Sequence, residues 1–133
     1  MQKTFSILTI ILFSFLLYQC TSSERALHKR LQQEAAMLNE SAPVMLNDFV
    51  RFDAASVTLD NTFQYRYTVL NTSNPDSLVE SSLQNLKESA RIVYSTSFEM
   101  AIFRENNVTL EYIYSDESGR VIRTIEINPE DYK

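Results

Sequence analysis

The sequence predicts an α+β domain with the order α-β-β-α-α-β-β, four strands in one antiparallel sheet and the helices packed on one face. Three observations point there. Apolar residues recur at helical spacing after residue 24 and again after residue 74. Residues 49–70 and 108–127 each read as two β-prone runs around a turn signal, the pattern of a hairpin. The balance of 44% hydrophobic and 22% charged residues over 133 positions suits one modest core, not a disordered chain or a multi-span membrane protein.

The first nineteen residues stand apart. Lys3 is the only charge before Glu24, and Phe5–Tyr18 holds 11 apolar residues in 14. A spanning helix needs roughly 20 such residues, so this run fits the apolar core of a secretory signal better. It ends Leu16-Leu17-Tyr18-Gln19-Cys20, with the only cysteine where the apolar run stops. This arrangement resembles the lipobox of bacterial lipoproteins. Leu17 matches the motif, whereas Tyr18 and Gln19 are bulkier than the small residues it prefers.

The resemblance implies cleavage before Cys20, lipid on its thiol and amine, and attachment to the membrane of the cell envelope. Thr21 rather than Asp after the cysteine would favour the outer membrane of a diderm bacterium, with the domain facing the periplasm. Buried acyl chains contribute about 0.8 kcal/mol per CH₂, and more than one chain makes anchoring stable. Two other readings compete: an ordinary secretory signal cut near Cys20, and an uncleaved N-terminal anchor. The expected organisation is a signal peptide over 1–19, a lipidated Cys20 and short linker over 20–24, and one α+β domain over 25–133. Losing residues 1–19 removes Lys3 alone and leaves 11 basic against 17 acidic residues.

Thr21 and Glu24 have capping-box spacing, and Leu27, Leu31, Ala35, Leu38 and Ala42 then form a helical stripe that Pro43 stops. Phe49–Leu59 is β-prone with imperfect alternation. After the turn signal Asp60-Asn61, Thr62–Leu70 alternates strictly, with Phe63, Tyr65, Tyr67 and Val69 on one face. Asn74, Pro75 and Asp76 are an N-cap, a first-turn proline and a carboxylate at the positive helix end. Val79, Leu83, Leu86, Ala90 and Val93 carry the stripe that follows. A shorter helix over Phe98–Glu105 closes at Asn106-Asn107, and Val108–Ser115 and Val121–Ile127 flank a turn that uses the only glycine, Gly119.

Phe63-x-Tyr65-x-Tyr67-Thr68-x-x-Asn71, then Phe103-Arg104-x-x-x-Val108-Thr109-Leu110-x-Tyr112-x-Tyr114-x-Asp116-x-x-Gly119, and Pro129-Glu130-Asp131 together resemble a family of small exported bacterial proteins. Relatives there often carry a late cysteine pair, absent here, and the resemblance implies no activity and carries over no functional residue.

Several function classes are disfavoured. A net charge of −5 without a basic run offers no footprint for nucleic acid. One Cys, one His and one Gly leave no material for a cysteine metal site, a histidine cluster or a phosphate-cradling loop, so neither metal nor cofactor is expected. His28 beside Lys29 and Arg30 reads as surface, as do Asp48, Arg51 and Asp53. Asp116 and Glu117 serve a turn, and Ser22-Ser23, Ser81-Ser82 and Ser95-Thr96-Ser97 have no paired base nearby in sequence. Three Asn-x-Ser/Thr patterns at Asn39, Asn71 and Asn107 matter only in a eukaryotic host. No catalytic residue is assigned, and an enzyme is not expected.

What remains is a membrane-anchored envelope lipoprotein acting as an accessory module for an envelope protein partner, in assembly or in the manner of a pilotin. The alternative is a small-molecule-binding domain that uses a concave aromatic face. Tyr65, Tyr67, Tyr112 and Tyr114 decide between them. They alternate in phase with Phe63, Val69, Val108 and Leu110, so all four belong to the sheet face under the helices. They form a closed core if the helices cover that face, and a pocket with polar handles if they do not.

Overall fold

A computed structural model describes residues 22–133. The leader 1–19, Cys20 and Thr21 lie outside the described residues. The chain runs α1 (22–39), β1 (Val44–Met45), β2 (Val50–Val57), β3 (Phe63–Val69), α2 (Pro75–Thr96), α3 (Ala101–Glu105), β4 (Leu110–Ser115), β5 (Val121–Ile127) and α4 (Pro129–Tyr132). It is an α+β structure, but its sheet has five strands and is mixed. The order is β1-β2-β3-β4-β5, antiparallel throughout except between β3 and β4, which are parallel.

Both departures from the expected four-stranded antiparallel sheet have physical causes. β1 is two residues, Val44 and Met45, paired with Phe52 and Arg51, too short to show alternation in sequence. The parallel pair follows from unequal helices. Two helices of similar length would carry the chain down the sheet and back, so that β4 would run against β3. Here α2 has 22 residues and α3 only five, so α2 alone returns the chain to the edge where β3 began. β4 then starts beside Phe63 and runs with β3, as a helical crossover requires.

Local signals act where expected. Asn74 accepts a hydrogen bond from the Ser77 N–H at 3.2 Å with Pro75 in the first turn. Asn61, Asn71 and Asn107 take positive φ, as does Gly119 (φ 85°) in the β4–β5 turn. α1 buries Leu31 and Ala35, while Leu38 is exposed. Beyond the two residues of β1, the edge of β2 is covered by the last residue of α1: Asn39 accepts from the Ala55 N–H at 2.7 Å and donates to its carbonyl at 2.9 Å. That side chain stands in for a strand and blunts a pairing edge.

One sheet face carries Phe52, Ala55, Phe63, Tyr65, Val69, Leu110, Ile125 and Ile127, all buried under α1 and α2. The other carries Arg51, Gln64, Arg66, Glu111 and Thr124, with Thr68 and Ile113 buried among them. The C-terminal segment forms α4, which alternation and helical spacing do not announce. It seats Tyr132 in the core at 1% exposure, its hydroxyl 2.6 Å from the Val108 carbonyl and 3.2 Å from that of Phe103.

Candidate functional site

The parallel register sets Tyr65 beside Tyr112 and Tyr67 beside Tyr114. Because i and i+2 share a face of a strand, the four rings form one zigzag. Tyr65 stacks on Tyr112 at 5.0 Å, Tyr112 on Tyr67 at 6.2 Å, and Tyr67 on Tyr114 at 4.9 Å, with interplanar angles of 19° or less. Tyr65 and Tyr114 are buried, whereas Tyr67 and Tyr112, between them in the stack, are half-buried. The four residues singled out in sequence are thus brought together.

Above this floor α2 stands as one wall, through Leu86, Ala90 and Val93. The loop between β1 and β2 supplies the other, through Leu46 and Phe49. Two adjoining hollows of about 370 and 340 Å³ share Leu46, Leu86 and Tyr114, and no charged side chain lines either. Leu46 is 57% and Phe49 42% exposed at the lip. The result is an open apolar groove with an aromatic floor.

Three of its five tyrosine hydroxyls are paired among themselves. The Tyr94 hydroxyl, from α2, accepts from Tyr112 at 3.2 Å and lies 2.5 Å from the Tyr65 hydroxyl. Burial holds the phenols of Tyr65, Tyr67, Tyr94 and Tyr112 well above their ordinary range, and neighbouring phenols add to this at Tyr67, Tyr94 and Tyr112. Tyr114 is pushed up to about 12 by burial. All five rings therefore stay neutral near pH 7. They offer stacking area and hydroxyl dipoles, not a base or a nucleophile.

Sequence reasoning missed Tyr94. The apolar stripe passes from Ala90 to Val93, which is 45% exposed, whereas Tyr94, four residues after Ala90, is buried at 2%. It missed the β1–β2 loop too, since Leu46 and Phe49 follow a strand of only two residues.

The remaining candidates do not join the groove. The His28 ring Nδ1 lies 2.7 Å from Asn61 Oδ1 near the β2–β3 turn. Asp53, on the outer sheet face, accepts from Arg51 at 2.6 Å and Thr68 at 2.5 Å. Asp116 organises its turn by accepting from Ser118 and Arg120, which together hold its carboxyl below the usual range. Among the described residues no group of His, Cys, Asp and Glu could hold a metal, and no helix is long and apolar enough to cross a membrane.

Three solved structures share this fold. A protein described as secreted, from Pseudomonas aeruginosa, has a TM-score of 0.71 at 12% identity over 83% of this chain and 96% of its own. The pilotin EpsS of the Vibrio vulnificus type 2 secretion system has a TM-score of 0.63 at 10% identity, covering 85% and 97%. The type II secretion system pilotin AspS from Vibrio cholerae has a TM-score of 0.61 at 12% identity, covering 84% and 97%. No curated protein matches the sequence. A family model described as a domain of unknown function, DUF8479, matches residues 26–123.

Proposed function

The chain belongs to the DUF8479 family, whose description assigns no activity, and from that premise we propose that it is an envelope lipoprotein, anchored through Cys20, that serves a secretion-type assembly as a pilotin-like accessory. In this reading the groove receives the apolar face of an extended or helical segment of a protein partner. The groove carries the proposal. It is open and apolar, uncharged along its length, and its deepest hydroxyls are already paired with one another. A small polar ligand needs convergent unpaired groups, whereas an amphipathic helix needs an apolar trough. The shared fold with two type II secretion pilotins supports the same choice, and the cysteine closing an apolar leader supports the anchor.

The test is a photo-crosslinker placed at Leu46 in the native lipoprotein, read by mass spectrometry of the crosslinked envelope. One protein partner of an envelope assembly is expected, lost on Ala90→Glu, a change on the opposite wall. Retention of the crosslink in Ala90→Glu would overturn the groove as the docking site. A small molecule carried through purification by the wild type and absent from Ala90→Glu would favour the binding-domain alternative.

A further inference from the structure

Leu59 and Phe98 are 99% and 90% exposed, the two most exposed large apolar side chains among the described residues. They belong to different elements but stand at one end of the domain. Leu59 lies in the β2–β3 turn immediately before β3. Phe98 lies at the α2–α3 corner, and α3 connects to the start of β4 through the Val108 N–H on the Phe103 carbonyl at 3.1 Å. The parallel pairing of Phe63 with Leu110 brings these two strand starts together.

Both tips are held outward by rigid surroundings. In the turn, the Thr58 N–H donates to the Thr62 carbonyl and the Asn61 N–H to the Thr58 carbonyl, each at 3.0 Å, with Asn61 at φ 63°. At the corner, Arg104 donates to the carbonyls of Tyr94 at 2.7 Å and Ser97 at 3.2 Å, leaving Phe98 outside the clamp. An exposed leucine or phenylalanine alone needs no explanation, but two held at one end suggest a surface to meet.

The described chain begins at this same end. His28 on α1 contacts Asn61 in the Leu59 turn, and the six residues before it lead back to Ser22, two positions from Cys20. We propose that this end is a membrane-seating edge, with Leu59 and Phe98 inserting into the acyl boundary of the bilayer that holds the anchor. The inference rests on the reading of Cys20 as the lipid attachment site. Arg25, Lys29 and Arg30 put three exposed cations on the first turns of α1 toward anionic headgroups. Glu24, Asp60 and Glu99 share this end, so the apolar tips rather than net charge make the contact. The groove lip at Leu46 and Phe49 lies at the far end of β3, where the Leu70 N–H donates to the Phe49 carbonyl. An edge seated in this way turns the lip away from the bilayer.

The experiment uses the full lipoprotein in vesicles of phosphatidylethanolamine and phosphatidylglycerol. A lipidated Cys20 has no free thiol, so Leu59→Cys, Phe98→Cys and Val121→Cys each offer a single labelling position; Val121 lies at the opposite end of the sheet and is 53% exposed. An environment-sensitive fluorophore at 59 and at 98 is expected to shift to the blue and to be quenched by bromine-labelled lipid, and one at 121 to do neither. Water-like emission at 59 and 98 in protein that floats with the vesicles would overturn the edge and leave the anchor standing. A blue shift at 59 without vesicles would assign the tip to a protein contact and overturn it as well. Thiol labelling of the wild type, or failure to float, would overturn the anchor and this inference with it.

Discussion

The hydroxyls of Tyr94 and Tyr65 lie 2.5 Å apart across the interface between α2 and β3, and Tyr112 joins them from β4. Tyr94 is the centre of this triad, because it alone hydrogen-bonds to both others. Tyr94→Phe removes the centre while preserving the ring, and leaves the hydroxyls of buried Tyr65 and half-buried Tyr112 short of a partner. The expected cost is about 1–3 kcal/mol, against about 3–5 for Tyr94→Ala, read by urea denaturation. A Tyr94→Phe protein as stable as the wild type would show that the triad contributes nothing.

Stability should fall in alkali. The folded phenols titrate above the unfolded value near 10, with Tyr114 and Tyr132 each at about 12. A raised folded pKa contributes stability that is complete below the unfolded pKa and is lost as pH rises through the folded one. Between about pH 10 and 12 the unfolded chain sheds protons that the folded chain keeps. At ~1.4 kcal/mol per pKa unit, Tyr114 alone accounts for about 2–3 kcal/mol of that loss. Ultraviolet absorbance of tyrosinate and circular dichroism should therefore change together. Tyrosinate appearing at pH 10 in a fully folded protein would contradict this.

Tyr132 ties the chain end into the core, touching the Tyr94 ring at a centroid distance of 6.1 Å. Tyr132→Ala should cost about 3–5 kcal/mol, as for other buried aromatics. Tyr132→Phe should cost about 1–2, since only the hydroxyl on the Val108 and Phe103 carbonyls is lost. Thermal melts of the two variants would separate packing from hydrogen bonding.

Anchoring at Cys20 predicts that labelled palmitate enters the wild type and not Cys20→Ala, which should lose tight membrane association. Equal labelling of the two proteins would refute the attachment site.

The elements were legible in the sequence wherever period and punctuation agreed. Strict alternation over Thr62–Leu70, the Asn74-Pro75 start of α2 and the Gly119 turn each match a structural element within a few residues. What failed to show was what distant parts of the chain decide together. The direction of β4 depends on the relative lengths of α2 and α3, and the short α3 was read three residues too long at its start. The four groove tyrosines could be named from phase alone, but not their neighbour Tyr94. Nothing local tells that α2 rotates Val93 outward and Tyr94 inward. Asn39 shows only a glycosylation pattern in the sequence, and the folded chain shows it bonded to Ala55.

The parallel seam between β3 and β4 also sets a timetable. β2 meets β3, and β4 meets β5, across short turns that close quickly, whereas Phe63 and Leu110 must find each other across 47 residues of chain. The two hairpins are therefore expected to form early and to join late. Each hairpin contributes two rungs of the tyrosine ladder, so neither half contains the groove. A chain that has made all its local structure but not yet closed the seam shows its aromatic rings to solvent and has nothing to dock with. If the groove docks a partner as proposed, competence to bind arrives only when the seam closes.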